Sequence, residues 1–427
     1  MTSRNANELN AEQHAEAWAN VERLLRQDYI EPDIDAVRII CSCVAAHRIT
    51  EHPPVWAMCV APSGSLKTAI LQSLDGLPTV HFIDEVTPNT FVSGRIPERK
   101  EDEEKGRRKR KEKREPASLL HRIGSDGFLI AADFSTILSM DERSRARILA
   151  QLRRIYDGHF SREFGTEENL SEREWKGRLT FITGATPDID QHYSVFRSLG
   201  ERFVQVRWPR AGGIEAGIKA MRQRADAASD LRSAIHRLLL PILKYGVSQI
   251  FKQRPFPSPF FPPEYEVRVA HLGEFVALAR AHVARSRSDH EPVAPPSPEG
   301  NTRLPQELAQ IGRGAAALAG RTEVTEDDFA LVSRAAFDCI PEARMRVIRA
   351  LRDGASPYAT GLAHGLVYRT LEDLEALGLA EKTEASDGSH IFTECAQELF
   401  TGAGVTSPKM HMNDTGVSSV TAQIGGS

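Results

Sequence analysis

The chain has 427 residues, 41% hydrophobic and 26% charged, which is room for two or three domains with cores of their own and an ordinary globular composition. A formal net charge of −4 does not mark a nucleic-acid binder, so any such role has to come from local patches. No apolar run reaches membrane-spanning length, the polar start MTSRNANELN is not a signal peptide, and five scattered cysteines without a C-x-x-C pair argue against zinc and disulfides and for a reducing cytoplasm.

Residues 1–50 form an N-terminal helical segment in this reading. One apolar stripe runs through Ala17, Val21, Leu24 and Leu25, and a second through Ile34, Val37, Ile40, Cys41 and Val44, with a break at Tyr29–Pro32. Both helices are expected to cover the first strand. That strand is Val55–Val60, followed by the turn Pro62-Ser63-Gly64-Ser65 and then by Leu66-Lys67-Thr68, which opens an apolar-periodic helix (Ala69, Ile70, Leu71, Leu74). Strand, tight turn and helix is the setting of a phosphate-binding loop. The first-turn amides and the helix dipole then face an anion, with Lys67 on the terminal phosphates and the Thr68 hydroxyl on a magnesium ion. Against the pattern G-x-x-x-x-G-K-[ST], Ala61 replaces the first glycine and Leu66 the second. A side chain at position 66 crowds the backbone that must wrap the phosphates. The plain alternative is a helix start that happens to carry Ser-Leu-Lys-Thr.

Thr79–Ile83 reads as a strand ending in Asp84-Glu85, with Glu85 a reserve metal ligand because the strand follows Lys67 so closely. The insert 98–116 holds four acids (Glu101–Glu104) and the basic run Lys105–Arg114, with Arg107, Arg108, Lys109, Arg110 and Lys111 at its centre. It is either a solvated loop or an arm that tracks a DNA or RNA backbone without sequence preference. Phe128–Asp133 is a second core strand, and its terminal Asp133 suits a magnesium-site carboxylate. Phe134 follows where a water-polarising glutamate would be useful, and Ser135 and Thr136 are no general bases at neutral pH. A helix from Arg143 to Tyr156, a β-hairpin over 159–176 and a third strand, Leu179–Gly184, come next. Thr186 at that strand's tip either bonds a γ-phosphate or its attacking water, or is a turn threonine. Arg202 lies on the turn before the strand Val204–Val206, exposed enough to reach a neighbouring subunit, or is a salt-bridged surface arginine.

Taken together, APSGSLKT, FLIAADF, a helix, a hairpin, LTFITGATP and LGERF resemble the AAA+ ATPases, in the clade with a β-hairpin before the sensor strand. Minichromosome-maintenance-type helicases and related phage and mobile-element ATPases belong there. The resemblance runs from Val55 to about Leu351. It implies an α/β fold: a P-loop AAA+ three-layer core with a parallel sheet over 51–225, then a helical lid over 226–340. It also implies ATP and Mg²⁺ as cofactors, Pro62, Ser63, Gly64, Ser65, Leu66, Lys67 and Thr68 as the nucleotide loop, and Asp133 with Thr68 at the metal. Thr186 becomes the first sensor, Arg202 an arginine finger acting in trans, and Arg303 the second sensor. A finger in trans means a homo-oligomer, a ring or open form, with a hexameric ring among the possibilities. Hydrolysis would remodel or translocate nucleic acid, DNA foremost, as in a helicase, with Arg162 and Lys176 of the hairpin touching the backbone. This sequence departs from the family at both loop glycines, at Thr186 (where asparagine is usual) and at the missing glutamate after Asp133. Those departures leave open a slow-turnover, ATP-switched regulator or loader.

Between these parts the sequence predicts helices over Asp226–Phe251 and Glu264–Arg285, an extended RPFPSPFFPPEY, and a loop over Glu291–Gly300. Thr325 and Asp328 are set as a capping box. Residues 341–400 resemble a winged-helix domain through VYRTLEDLEALGLAEK, which in DNA-binding members would present Tyr368 and Arg369 to the major groove. That stretch has six Lys/Arg and ten Asp/Glu, a sign that repels phosphate unless the basic residues cluster, so protein packing and DNA contact stand as equal readings. The tail 401–427 is small and polar, expected to be disordered.

Overall fold

A computed structural model describes residues 11–49, 52–91, 118–161, 174–192, 199, 202–209, 212–247, 258–286, 288, 292–382 and 390–404. The basic run Lys105–Arg114, Arg162, the hairpin tip and the tail beyond 404 lie outside these residues.

Five parallel strands form the central sheet: β1 Trp56–Val60, β2 Val80–Ile83, β3 Asp126–Ala131, β6 Arg178–Ala185 and β7 Phe203–Arg207, in the order β2-β3-β6-β1-β7. The apolar runs of the inner strands β1, β3 and β6 follow from burial on both faces, while the edge strands β2 and β7 are half-buried in whole or in part. Alternation along β1 divides its side chains between two cores. Trp56, Met58 and Val60 join one with Phe181, Phe203 and the helix Glu142–Tyr156, while Ala57 and Cys59 join the other with the remaining long helices. The chain is thus an α/β protein with helices on both faces of a parallel sheet.

The helix α1 (Ala11–Asp28) packs on the long helix Ala227–Val247, and α2 (Ile34–Ile49) is buried along most of its length, chiefly against the helix Arg303–Leu318. The N-terminal segment is therefore more than a cover for β1: α2 is a core helix between the sheet and the C-terminal half. Its end is fastened to the amino end of the sheet. His47 bonds Thr180 at 2.8 Å and Asp126 at 2.7 Å, and Arg48 pairs with the same carboxylate. Burial and the neighbouring Arg178 and Arg48 hold the His47 pKa well below its usual value, so the ring is neutral.

The hairpin forms as expected from β4 (His159–Ser161) and β5 (Glu174–Lys176), antiparallel, with Phe160 facing Trp175. The Thr325–Asp328 capping box is present at the helix Glu326–Asp338. Phe260 of the proline-rich stretch is exposed, but Phe261 enters the core. Over the C-terminal part come helices Glu342–Arg352 and His364–Ala376, then the antiparallel ribbon β8 (Ala380–Lys382) and β9 (His390–Phe392). A last helix, Glu394–Gly402, docks on the helix Pro263–Ala279 through Phe400 against Phe275. Four cysteines are buried and Cys395 on that last helix is exposed.

Candidate functional site

In open parallel sheets, ligands bind outside the carboxyl ends of the strands, where the strand order reverses. Here that place is the end of β1, flanked by β6 on one side and β7 on the other. Residues 61–66 leave β1 at this end. The Ala61 amide donates to Ala185 O at 3.1 Å, the Ser65 amide closes a turn onto Pro62 O at 3.3 Å, and Gly64 adopts a φ of 76°, a conformation only glycine takes cheaply. The helix α3 (Lys67–Ser73) follows, a short one of seven residues. Leu66 is half-buried and packed against the core that α3 joins.

Lys67 is 8% exposed, and its ammonium donates to Ala185 O at 2.9 Å and to Ala61 O at 3.4 Å. Burial lowers its pKa, while the nearby Asp133 carboxylate and Cys59 pull the other way. Lys67 and Asp133 are thus within electrostatic reach of one another, although β3 and β1 are separated by β6. Asp133 lies two residues past the end of β3, half-buried, and accepts from the Ser135 amide at 2.8 Å. Phe134 is fully buried, its amide donating to Gly184 O at 2.7 Å. Thr186 follows the carbonyl that holds Lys67, and its hydroxyl donates to Asp188 at 3.2 Å. Thr68, Ser63 and Gly64 are exposed, and the buried Ser65 hydroxyl has no hydrogen-bond partner. An orphaned loop hydroxyl, a buried ammonium, exposed loop groups and a carboxylate past the next strand but one are group types that suit a phosphate with a divalent cation.

The other two predicted residues are elsewhere. Arg202 immediately precedes β7 and is buried, not exposed on a turn. It donates to Leu199 O at 2.6 Å, pairs with Asp157 at 3.1 Å and lies over the Tyr156 ring. The buried guanidinium is satisfied within its own chain, which corrects the expected exposure. Arg303 flanks the same ring. Tyr156 packs edge-on against Trp56, the first residue of β1. The arginine pair therefore marks the amino end of the sheet, and Lys67 the carboxyl end, with roughly 13 Å of strand between them. Glu85 is exposed at the end of the edge strand β2, remote from the loop.

Sequence reasoning missed two features. Tyr156 donates to the fully buried Glu307 at 2.5 Å, where burial pushes that carboxyl up to about 8. At the carboxyl end, Arg207 pairs with Asp190 at 2.6 Å and its amide bonds Asp338 at 2.9 Å; Arg334 then bonds Arg207 O and Asp33. Lone charged residues in separate segments carry no spacing signal that would have joined them. On the C-terminal part, Tyr368 and Arg369 face solvent as expected, while Glu372 and Asp373 of that helix engage Arg285, and Asp373 also Arg344. Part of the acidic surplus is thereby neutralised internally. Lys176 of the hairpin is exposed but paired with Glu174 at 2.7 Å.

No protein-family model matches this chain, and no curated protein matches it. Among the described residues no helix is long and apolar enough to cross a membrane, and no cluster of metal-ligating side chains is formed by protein groups alone.

Proposed function

We propose that the chain is an ATP-binding protein of the AAA+ type, with ATP held at the end of β1 by the loop 62–68. The observation that carries this reading is Lys67, an almost buried ammonium resting on two strand-end carbonyls within electrostatic reach of Asp133. A triphosphate would draw Lys67 off those carbonyls and restore the charge compensation that burial denies it. Thr68 and Asp133 would hold the magnesium ion, which supplies charge neutralisation on the phosphoryl oxygens. Thr186 sits at the tip of the intervening strand, in a position to orient the terminal phosphate.

As an enzyme, the protein would hydrolyse ATP and use it to move or remodel nucleic acid, assembled with copies of itself. The hairpin, the basic run Lys105–Arg114 and a winged-helix-like C-terminal module presenting Tyr368 and Arg369 support that use. Arg202 and Arg303 do not reach the loop of their own subunit, so any part they take in hydrolysis is across a subunit boundary. Arg202 must first leave Asp157.

Two observations favour the slower, switch-like form of the same reading. Phe134 occupies the position after Asp133 and is sealed in the core, and Arg202 is already paired within its own chain. In the switch form ATP sets assembly state and turnover is small. Titration with a fluorescent ATP analogue tests the proposal. Wild-type protein should bind, and Lys67→Ala should weaken binding by at least about tenfold, the size of one lost charge-assisted contact. Equal affinity in the two proteins would remove the nucleotide reading, and mass measurement with and without ATP would separate the motor from the switch.

A further inference from the structure

Gly184 lies on β6 between the two groups that define the site. Its Cα pairs with Cys59 of β1, next to the loop, and its carbonyl fixes the Phe134 amide, next to Asp133. A methyl group at this position would lie 2.7 Å from Ala132 O, 3.0 Å from Lys67 Cδ and 3.3 Å from Leu71 Cδ1. The first of these is backbone and cannot swing aside, and the second is the stem that carries the ammonium to Ala185 O. The missing side chain is thus a slot through which Lys67 crosses the sheet edge.

We propose that Gly184 is a positioning residue, the spacer that lets the Lys67 ammonium lie close enough to Asp133 for the two to serve one triphosphate, Lys67 on its oxygens and Asp133 on its metal ion. Its functional consequence rests on the phosphate-loop reading; its geometric consequence does not. A Cβ at 184 closes the slot: the backbone at Ala132 yields at most a few tenths of an ångström, so the Lys67 stem, the neighbour free to move, is expelled toward solvent. The backbone conformation of Gly184 is not what requires glycine, since it is ordinary strand. Space alone requires it.

Two readouts on Gly184→Ala test this. The first needs no nucleotide: the rate of acetylation at Lys67, followed by peptide mass spectrometry on folded protein. Buried beside Gly184, wild-type Lys67 should react slowly. Gly184→Ala should raise its rate several-fold while exposed lysines such as Lys176 keep theirs. An unchanged Lys67 rate overturns the spacer. The second is ATP-analogue affinity in a double-mutant cycle with Lys67→Ala. Gly184→Ala should cost at least about tenfold in the wild-type background and nothing further once Lys67 is gone. Additive losses would mean that Gly184 acts on the sheet in general, and would also overturn it. If wild-type protein fails to bind the analogue, the nucleotide reading falls and the labelling comparison still decides the spacer. Should Gly184→Ala not fold, the combination with Leu71→Ala, which clears one wall of the slot, is labelled in its place against Leu71→Ala alone.

Discussion

Arg202 illustrates how a residue's surroundings decide what its loss can report. Its guanidinium holds Leu199 O and Asp157 and covers Tyr156. The Asp157 side chain is about half exposed, so the ion pair itself contributes little and the carbonyl bond and the ring contact contribute more. Arg202→Ala is expected to lower stability by about 1–3 kcal/mol, read from urea unfolding. A change in ATP hydrolysis therefore means a finger only if it exceeds what a comparably destabilised variant, such as Asp157→Ala, produces. Glu307 is the second informative residue. Its folded-state pKa lies above that of the unfolded chain, so between about 4.5 and about 8 the native state holds a proton that the unfolded chain has released. This group makes stability fall as pH rises through that window and adds no further slope above it. Glu307→Gln should flatten that part of the profile, measured as urea midpoints across the window. An identical slope in both proteins would mean that Glu307 ionises normally.

Among the secondary-structure elements, the sheet was legible and its fastenings were not. The inner strands β1, β3 and β6 are largely apolar runs, and burial on both faces makes such runs visible to within a residue or two, while the edge strands β2 and β7 carry His81, Gln205 and Arg207 at half-buried positions. Lys67, Asp133 and Thr186 could be brought to one end of the sheet because Asp133 and Thr186 follow the ends of parallel strands and Lys67 opens the helix after the loop that leaves a third. Arg202 and Arg303 could not be placed, since a turn or a helix start has no periodicity that tells inward from outward. The short helix Ile214–Met221 escaped notice because it buries nothing. The last helix, Glu394–Gly402, escaped because its partner Phe275 is far away in sequence. The polar chain Asp190–Arg207–Asp338–Arg334–Asp33 joins the turn after β6, the end of β7, the helix Glu326–Asp338 and the start of α2. Its Arg207–Asp338 link is a backbone amide on the carboxylate, and its other links are charged side-chain pairs. Arg207→Ala removes the partner of the Asp190 carboxylate and the Arg207 Nε bond to Asp338 O, while the backbone amide at 207 goes on donating to the Asp338 carboxylate. Thermal unfolding should drop by several degrees, more than for Arg346→Ala, whose exposed pair with Glu342 contributes little.

At the scale of the whole molecule, the balance of charge hides a strongly basic segment inside a chain of net −4. If the protein is a nucleic-acid-driven ATPase, DNA should raise its hydrolysis rate, and the rise should shrink with added salt because counterions released from the phosphates into a saltier solution gain less entropy. Deleting Lys105–Arg114 should abolish the salt-sensitive part and leave basal hydrolysis in place. Stimulation unaffected by the deletion would move the contact to the hairpin or the C-terminal module. The same molecule also supplies a convenient means of watching such events. Cys41, Cys43, Cys59 and Cys339 are sealed in the interior, and burial raises the pKa of each, while Cys395 lies open on the final helix. Maleimide chemistry on native protein should therefore place a single dye on each chain, without engineering. If copies assemble when ATP is added, energy transfer between donor- and acceptor-labelled chains will follow the assembly in real time.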